Sequence, residues 1–196
     1  MKFLSHCGKS NDILLLSAGV LVLSAIILSG YCRYQYLLDI SSLQEVSDIS
    51  DIQKISKRTY FRKVRVLGYF KAAEMLMTSK RFSEAESYLV FLKGHIAEPE
   101  MKSRVYCDYA MCLIFQQKHL QAVNALQEIL QKKISLTEKQ HLRILFLLGI
   151  EYLQCKNPLE AVKYFEQVLK FSVPADSDCV NIKQRSQIIL KQLKRK

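Results

Sequence analysis

Three regimes of apolar spacing divide this chain. From Ile13 to Ser29 it reads ILLLSAGVLVLSAIILS, an apolar run without a charge. Between Ile40 and Ile55 the apolar residues Ile40, Leu43, Val46, Ile49, Ile52 and Ile55 stand three apart. That spacing drifts by about 60° per step on a 3.6-residue helix, so the six cannot share one stripe and two helices are predicted. From Val66 onward the spacing becomes i, i+3, i+4, which marks one apolar face of a helix, and short polar turns interrupt it. The turns lead into RFSEAESYL, HLQAVNAL and PLEAVKYF, whose alanines Ala85, Ala122 and Ala161 lie 37 and 39 residues apart. A self-similar period of that size is the signature of stacked helical hairpins.

Set in 34-residue frames beginning at Val66, Ser103 and Leu142, the three copies place residues of one kind at positions 4, 7, 8, 11, 20, 24, 27 and 28. The third copy offers Leu145, Leu148, Gly149, Tyr152, Ala161, Phe165, Val168 and Leu169. The second offers Tyr106, Tyr109, Ala110, Leu113, Ala122, Leu126, Ile129 and Leu130. The first offers Tyr69, Ala72, Ala73, Leu76, Ala85, Leu89 and Leu92, then breaks the pattern with Lys93. Positions 4 to 11 form one face of a first helix and positions 20 to 28 one face of a second. Small residues at 8 and 20 let the two backbones approach, and large ones at 11 and 24 fill the space between hairpins. One hairpin cannot bury this surface alone, so stability requires stacked neighbours. From Val66 to Ala175 the pattern resembles the tetratricopeptide repeat family, although no copy has Trp at position 4 or Pro at position 32.

That resemblance implies a concave groove lined by first-helix positions 2, 5, 9 and 12. Its expected partner-binding residues are Phe70, Met77, Arg104, Met111, Ile114, Arg143, Phe146 and Ile150. Phe, Met and Ile with two rim arginines suit an amphipathic helix or an extended apolar peptide. Only Arg143 falls at a position used by family members that clamp a C-terminal carboxylate, so that activity is not expected. The alternative occupant is the chain's own linker or C-terminal helix.

Composition supports an all-α fold, with 6 Gly and 3 Pro in 196 residues and no strict apolar–polar alternation. The uncharged run spans 17 residues, or 19 with Gly30 and Tyr31. That is about 26 to 28 Å of helix against a hydrocarbon core of roughly 30 Å. Residues near its end put Ile, Leu or Tyr where a signal-peptide cleavage site needs small residues. Tyr31 likewise precludes lipid attachment at Cys32. The expected organisation is an N-terminal segment 1–12, a transmembrane anchor 13–31, linker helices 32–65, the repeat array 66–175, and a basic cap helix and tail 176–196. Lys2 and Lys9 precede the span and Arg33 follows it, which predicts a cytosolic N-terminus and an extracytoplasmic body.

The net charge of +11 is unevenly placed. Residues 51–71 carry +6, residues 183–196 carry +6, and the hairpins between are neutral. The two clusters suit anionic lipid or an acidic partner. No nucleic-acid reading motif accompanies them, so specific nucleic-acid binding is not expected. In the linker, Ser42 with Glu45 and Ser50 with Gln53 are possible capping boxes. They predict a short helix near Leu43 and a longer one near Asp51 running on into the first hairpin.

Chemistry-bearing patterns are sparse. The six cysteines show no metal-finger spacing. In an oxidising compartment Cys155 and Cys179 are the pair whose spacing permits a disulfide. The histidines form no zinc-protease motif, and GKS at Gly8 to Ser10 lacks both the first glycine and the strand of a phosphate loop. No cofactor, metal or catalysis is expected. The layout is similar to that of bacterial inner-membrane repeat proteins that accompany the secretion translocon. It predicts a membrane-anchored scaffold or accessory chaperone for a partner protein, as at a membrane complex. The alternative is a cytosol-facing receptor or assembly factor on an organelle surface, where the thiols would stay reduced.

Overall fold

The computed structural model describes residues 6–172 and 177–195, with side chains from Val20 onward. Among them every regular element is a helix: α1 (His6–Glu45), α2 (Ile49–Arg58), α3 (Arg62–Thr78), α4 (Phe82–His95), α5 (Pro99–Phe115), α6 (His119–Gln131), α7 (Glu138–Gln154), α8 (Pro158–Lys170) and α9 (Ser177–Leu193). The chain divides into two compact units, Met1–Arg65 and Val66–Lys196.

In the first unit α1 runs without a break through Ser42, so no new helix starts at Leu43. Neither Gly nor Pro stands between Cys32 and Glu45 to stop it. The next cap is Asp48 rather than Ser50: its carboxylate accepts from the Ser50 N–H at 3.1 Å, at an extended φ of −104°. Nor does α2 run on into the first hairpin. It ends at Arg58 because Thr59 is extended, with φ −71° and ψ 137°. The Thr59 hydroxyl donates to the buried Asp39 carboxylate at 2.7 Å. The Phe61 ring meets the edge of Tyr36 with centroids 5.4 Å apart. Ile52 and Ile55 of α2 and Leu43 of α1 are buried. The chain therefore doubles back along α1, with residues 59–61 lying beside residues 39–36.

In the second unit α3–α4, α5–α6 and α7–α8 are three helical hairpins closed by one recurring turn. Lys80, Gln117 and Lys156, each at frame position 15, adopt φ of 59°, 59° and 57°. The next residue's N–H then reaches back across the turn: Arg81 to the Leu76 carbonyl at 2.8 Å, Lys118 to Leu113 at 2.9 Å, Asn157 to Tyr152 at 2.9 Å. This is the left-handed closure that satisfies carbonyls at a helix end. Ala85, Ala122 and Ala161 at position 20 are fully buried. A Cβ on Gly149, at position 8, would stand 2.7 Å from the Phe165 ring at position 24. The first hairpin closes through Tyr69, whose ring lies 5.4 Å from Tyr88 and 4.7 Å from Phe91.

Lys93, the residue that breaks the first frame, has a job of its own. Its ammonium reaches Glu128 of the second hairpin at 2.7 Å and lies over the rings of Tyr106 and Tyr109, 4.7 and 4.3 Å from their centroids. Cys155 and Cys179, the pair whose spacing permits a disulfide, are not bridged, and both thiols are free. Cys155 packs against the core of the second hairpin and α7, whereas Cys179 is buried between α9 and the third hairpin. Through Cys179, Leu190 and Ile182, α9 covers the apolar face that α7 and α8 would otherwise expose.

Candidate functional site

Alongside α5 and α7, α9 encloses a cavity of about 590 Å³. Arg104, Asp108 and Met111 come from α5, Arg143, Phe146 and Leu147 from α7, and Asn181, Ile182 and Arg185 from α9. The first helices of two adjacent hairpins form the floor because their i, i+3, i+4 rows run parallel. The wall from α9 is there because the same helix seals the end of the core.

Four of the eight expected groove residues line this cavity: Arg104, Met111, Arg143 and Phe146. The structure does not bring Phe70, Met77, Ile114 and Ile150 to it. Phe70 lies under the Arg104 guanidinium, 5.1 Å from its carbon, and the same guanidinium forms an ion pair with Glu74. Ile114 packs against the core of α5, α6 and α7, and Ile150 against the core of α7, α8 and α9. Met77 is half-buried on α3. Phe146 is a buried floor rather than an open contact, with its ring 5.9 Å from Phe165 and the Arg185 guanidinium 5.2 Å above it.

The cavity's charges are only partly matched. Arg104 is engaged by Glu74, and Asp178 at the α9 end is held by Lys139 at 2.8 Å. Among the described residues Arg143 and Arg185 form no ion pair. Burial pushes the Asp108 carboxyl up to about 6, against the opposing pull of Arg104 at 4.0 Å and with a further push from Glu74. Burial, joined by Asp108, pushes the Cys107 thiol up to about 11, although Arg143 works against it. Cys107 is therefore a neutral thiol near pH 7 and a poor nucleophile. An apolar floor with two arginines unmatched by carboxylates is suited to binding an anion next to an apolar side chain.

Sequence reasoning missed Asp108, Ile182 and Arg185. Asp108 stands at frame position 6, one residue from an expected groove position, and α9 lies outside the frames altogether. Elsewhere, His119 meets the buried Glu151 at 2.8 Å and ties α6 to α7. Among the described residues no group of three or more His, Cys, Asp or Glu is placed to hold a metal ion. Among the described residues one helix, over Val20–Glu45, is long and apolar enough to cross a membrane.

A family model of the tetratricopeptide repeat matches residues 142–172, which cover most of α7 and all of α8. Searches of curated proteins and of solved structures return no match.

Proposed function

We propose that this chain is a membrane-anchored, non-catalytic scaffold of three tetratricopeptide repeats that receives a partner protein segment in the cavity between α5, α7 and α9. The observation carrying this reading is the pairing of Met111, Phe146 and Ile182 with the unmatched Arg143 and Arg185 in one concave site. A short amphipathic segment bearing an acidic residue beside a large apolar one fits that chemistry. The match of a tetratricopeptide repeat model to the α7–α8 hairpin supports a role in protein interaction, and the apolar stretch of α1 supports the anchor.

Charge reversal separates binding from folding. Arg143 is exposed, so Arg143→Glu should leave the melting temperature within about 2 °C while removing partner recovery from solubilised membranes. Recovery that survives Arg143→Glu combined with Met111→Lys would remove this cavity as the binding site. An extracytoplasmic body would match the translocon-like layout. The cytosol-facing alternative is favoured by the doubling-back of α2, which returns Arg58 and Arg62 toward the end of the apolar stretch.

A further inference from the structure

The first unit places a basic, aromatic turn at a defined height on the anchor helix. Val20 through Leu28 of α1 are exposed along their apolar length, and Tyr31 and Tyr34, at 63% and 61% exposure, follow where the apolar stretch ends. Tyrosines at that point are the residues that seat a span at the membrane–water boundary. The doubled-back strand of chain then meets α1 just above them. Thr59 bonds Asp39, the Arg58 guanidinium lies 3.8 Å from the same carboxylate, and Phe61 packs on Tyr36.

Helical rise fixes the height. Tyr36 is five residues past Tyr31, so Phe61 stands about 7 to 8 Å above the boundary tyrosine. The polar headgroup layer on each side of a bilayer is roughly 5 to 7 Å deep. Phe61 thus stands at the outer edge of that layer and Arg58, beside Asp39, about 12 Å above the boundary tyrosine, from where long side chains pointing down reach the headgroups. Tyr60 at the tip is 96% exposed, a large apolar ring with no packing role in the unit. Arg58, Arg62 and Lys63 around it are also exposed. The Arg65 guanidinium donates to the Thr59 carbonyl at 3.0 Å and stiffens the turn.

We infer that the α2–α3 turn is a membrane-contact element in which Tyr60 inserts at the headgroup level and Arg58, Arg62 and Lys63 gather anionic lipid. The inference rests on the reading of α1 as a membrane span. Such contact adds electrostatic attraction that falls away within a Debye length of about 8 Å at physiological salt, so only a turn held this close collects it.

The chain has no tryptophan, which makes single-tryptophan variants clean probes. Full-length Val22→Trp and Tyr60→Trp proteins are reconstituted into phosphatidylcholine vesicles with or without 30% phosphatidylglycerol, and quenching by brominated lipids is measured. Val22→Trp should be quenched by acyl-chain bromines, and if it is not, the span reading itself fails. With Val22→Trp quenched, Tyr60→Trp should be quenched most by labels near the headgroup. Brominated phosphatidylglycerol should quench it about five-fold or more over brominated phosphatidylcholine, a preference that falls to about one in the Arg58→Gln, Arg62→Gln, Lys63→Gln background. A Tyr60→Trp probe that stays unquenched overturns the inference. So does equal quenching by both lipids, or a turn that ignores vesicles and binds polyglutamate.

Discussion

Asp108 is the residue at which the candidate site conflicts most with stability. Its ordinary carboxyl value is near 3.8 and its folded value is about 6. Between these values the folded chain holds more proton than the unfolded one, so this carboxyl's contribution to stability falls as pH rises from about 4 to about 6. Above that window an ionised, poorly solvated carboxylate remains, one that Arg104 at 4.0 Å only partly offsets. Asp108→Asn should therefore stabilise the second unit at pH 7, by on the order of 1 to 3 kcal/mol, and lose that advantage below pH 4. Thermal melts of both proteins across pH 3.5 to 7.5 measure the difference, and parallel curves would mean that Asp108 is well solvated. Asp108 lines the same cavity as Arg143 and Arg185, and a carboxyl perturbed within a cavity supports the binding role proposed for it.

At the scale of elements, the hairpins depend on a turn chemistry that their sequences serve poorly. Lys80, Gln117 and Lys156 are side chains in a backbone region that glycine enters freely and others enter at a cost of about 1 kcal/mol. Gln117 is exposed, so Gln117→Gly should raise stability by about 0.5 to 1 kcal/mol and the melting temperature by a few degrees. A lower melting temperature would show that the Gln117 side chain holds the turn. The helices themselves were legible from Ala85, Ala122 and Ala161, because only small residues permit the approach seen where Gly149 faces Phe165. Lys93 was not legible as a contact: no local pattern tells that a side chain will reach a glutamate 35 residues away. The linker was misread because Asp48, rather than a serine, makes the cap and fixes the register of α2. The cavity was half legible, since repeat frames supply only first-helix positions and its other wall comes from α9.

At the scale of the molecule, α1 links the doubled-back hairpin to orientation through time. Along the chain, Arg58, Arg62 and Lys63 lie beyond the roughly 15 to 20 residues over which flanking charges orient a span. In space they lie beside Tyr36 and Asp39, a few residues past its end. Short helices form in about a microsecond, whereas synthesis at about 5 to 20 residues per second adds one residue in roughly 0.05 to 0.2 s. The turn therefore closes while the next few residues are still being made. Those three charges then join Arg33 against Lys2 and Lys9 before the body is complete, so the cytosol-facing alternative predicts that the body is retained in the cytosol. A topology reporter fused after the last residue should read cytosolic in the native chain. It should move toward the opposite face when Asp39→Ala and Thr59→Ala remove the latch. If the reporter reads the same side in both proteins, orientation was decided before the hairpin closed.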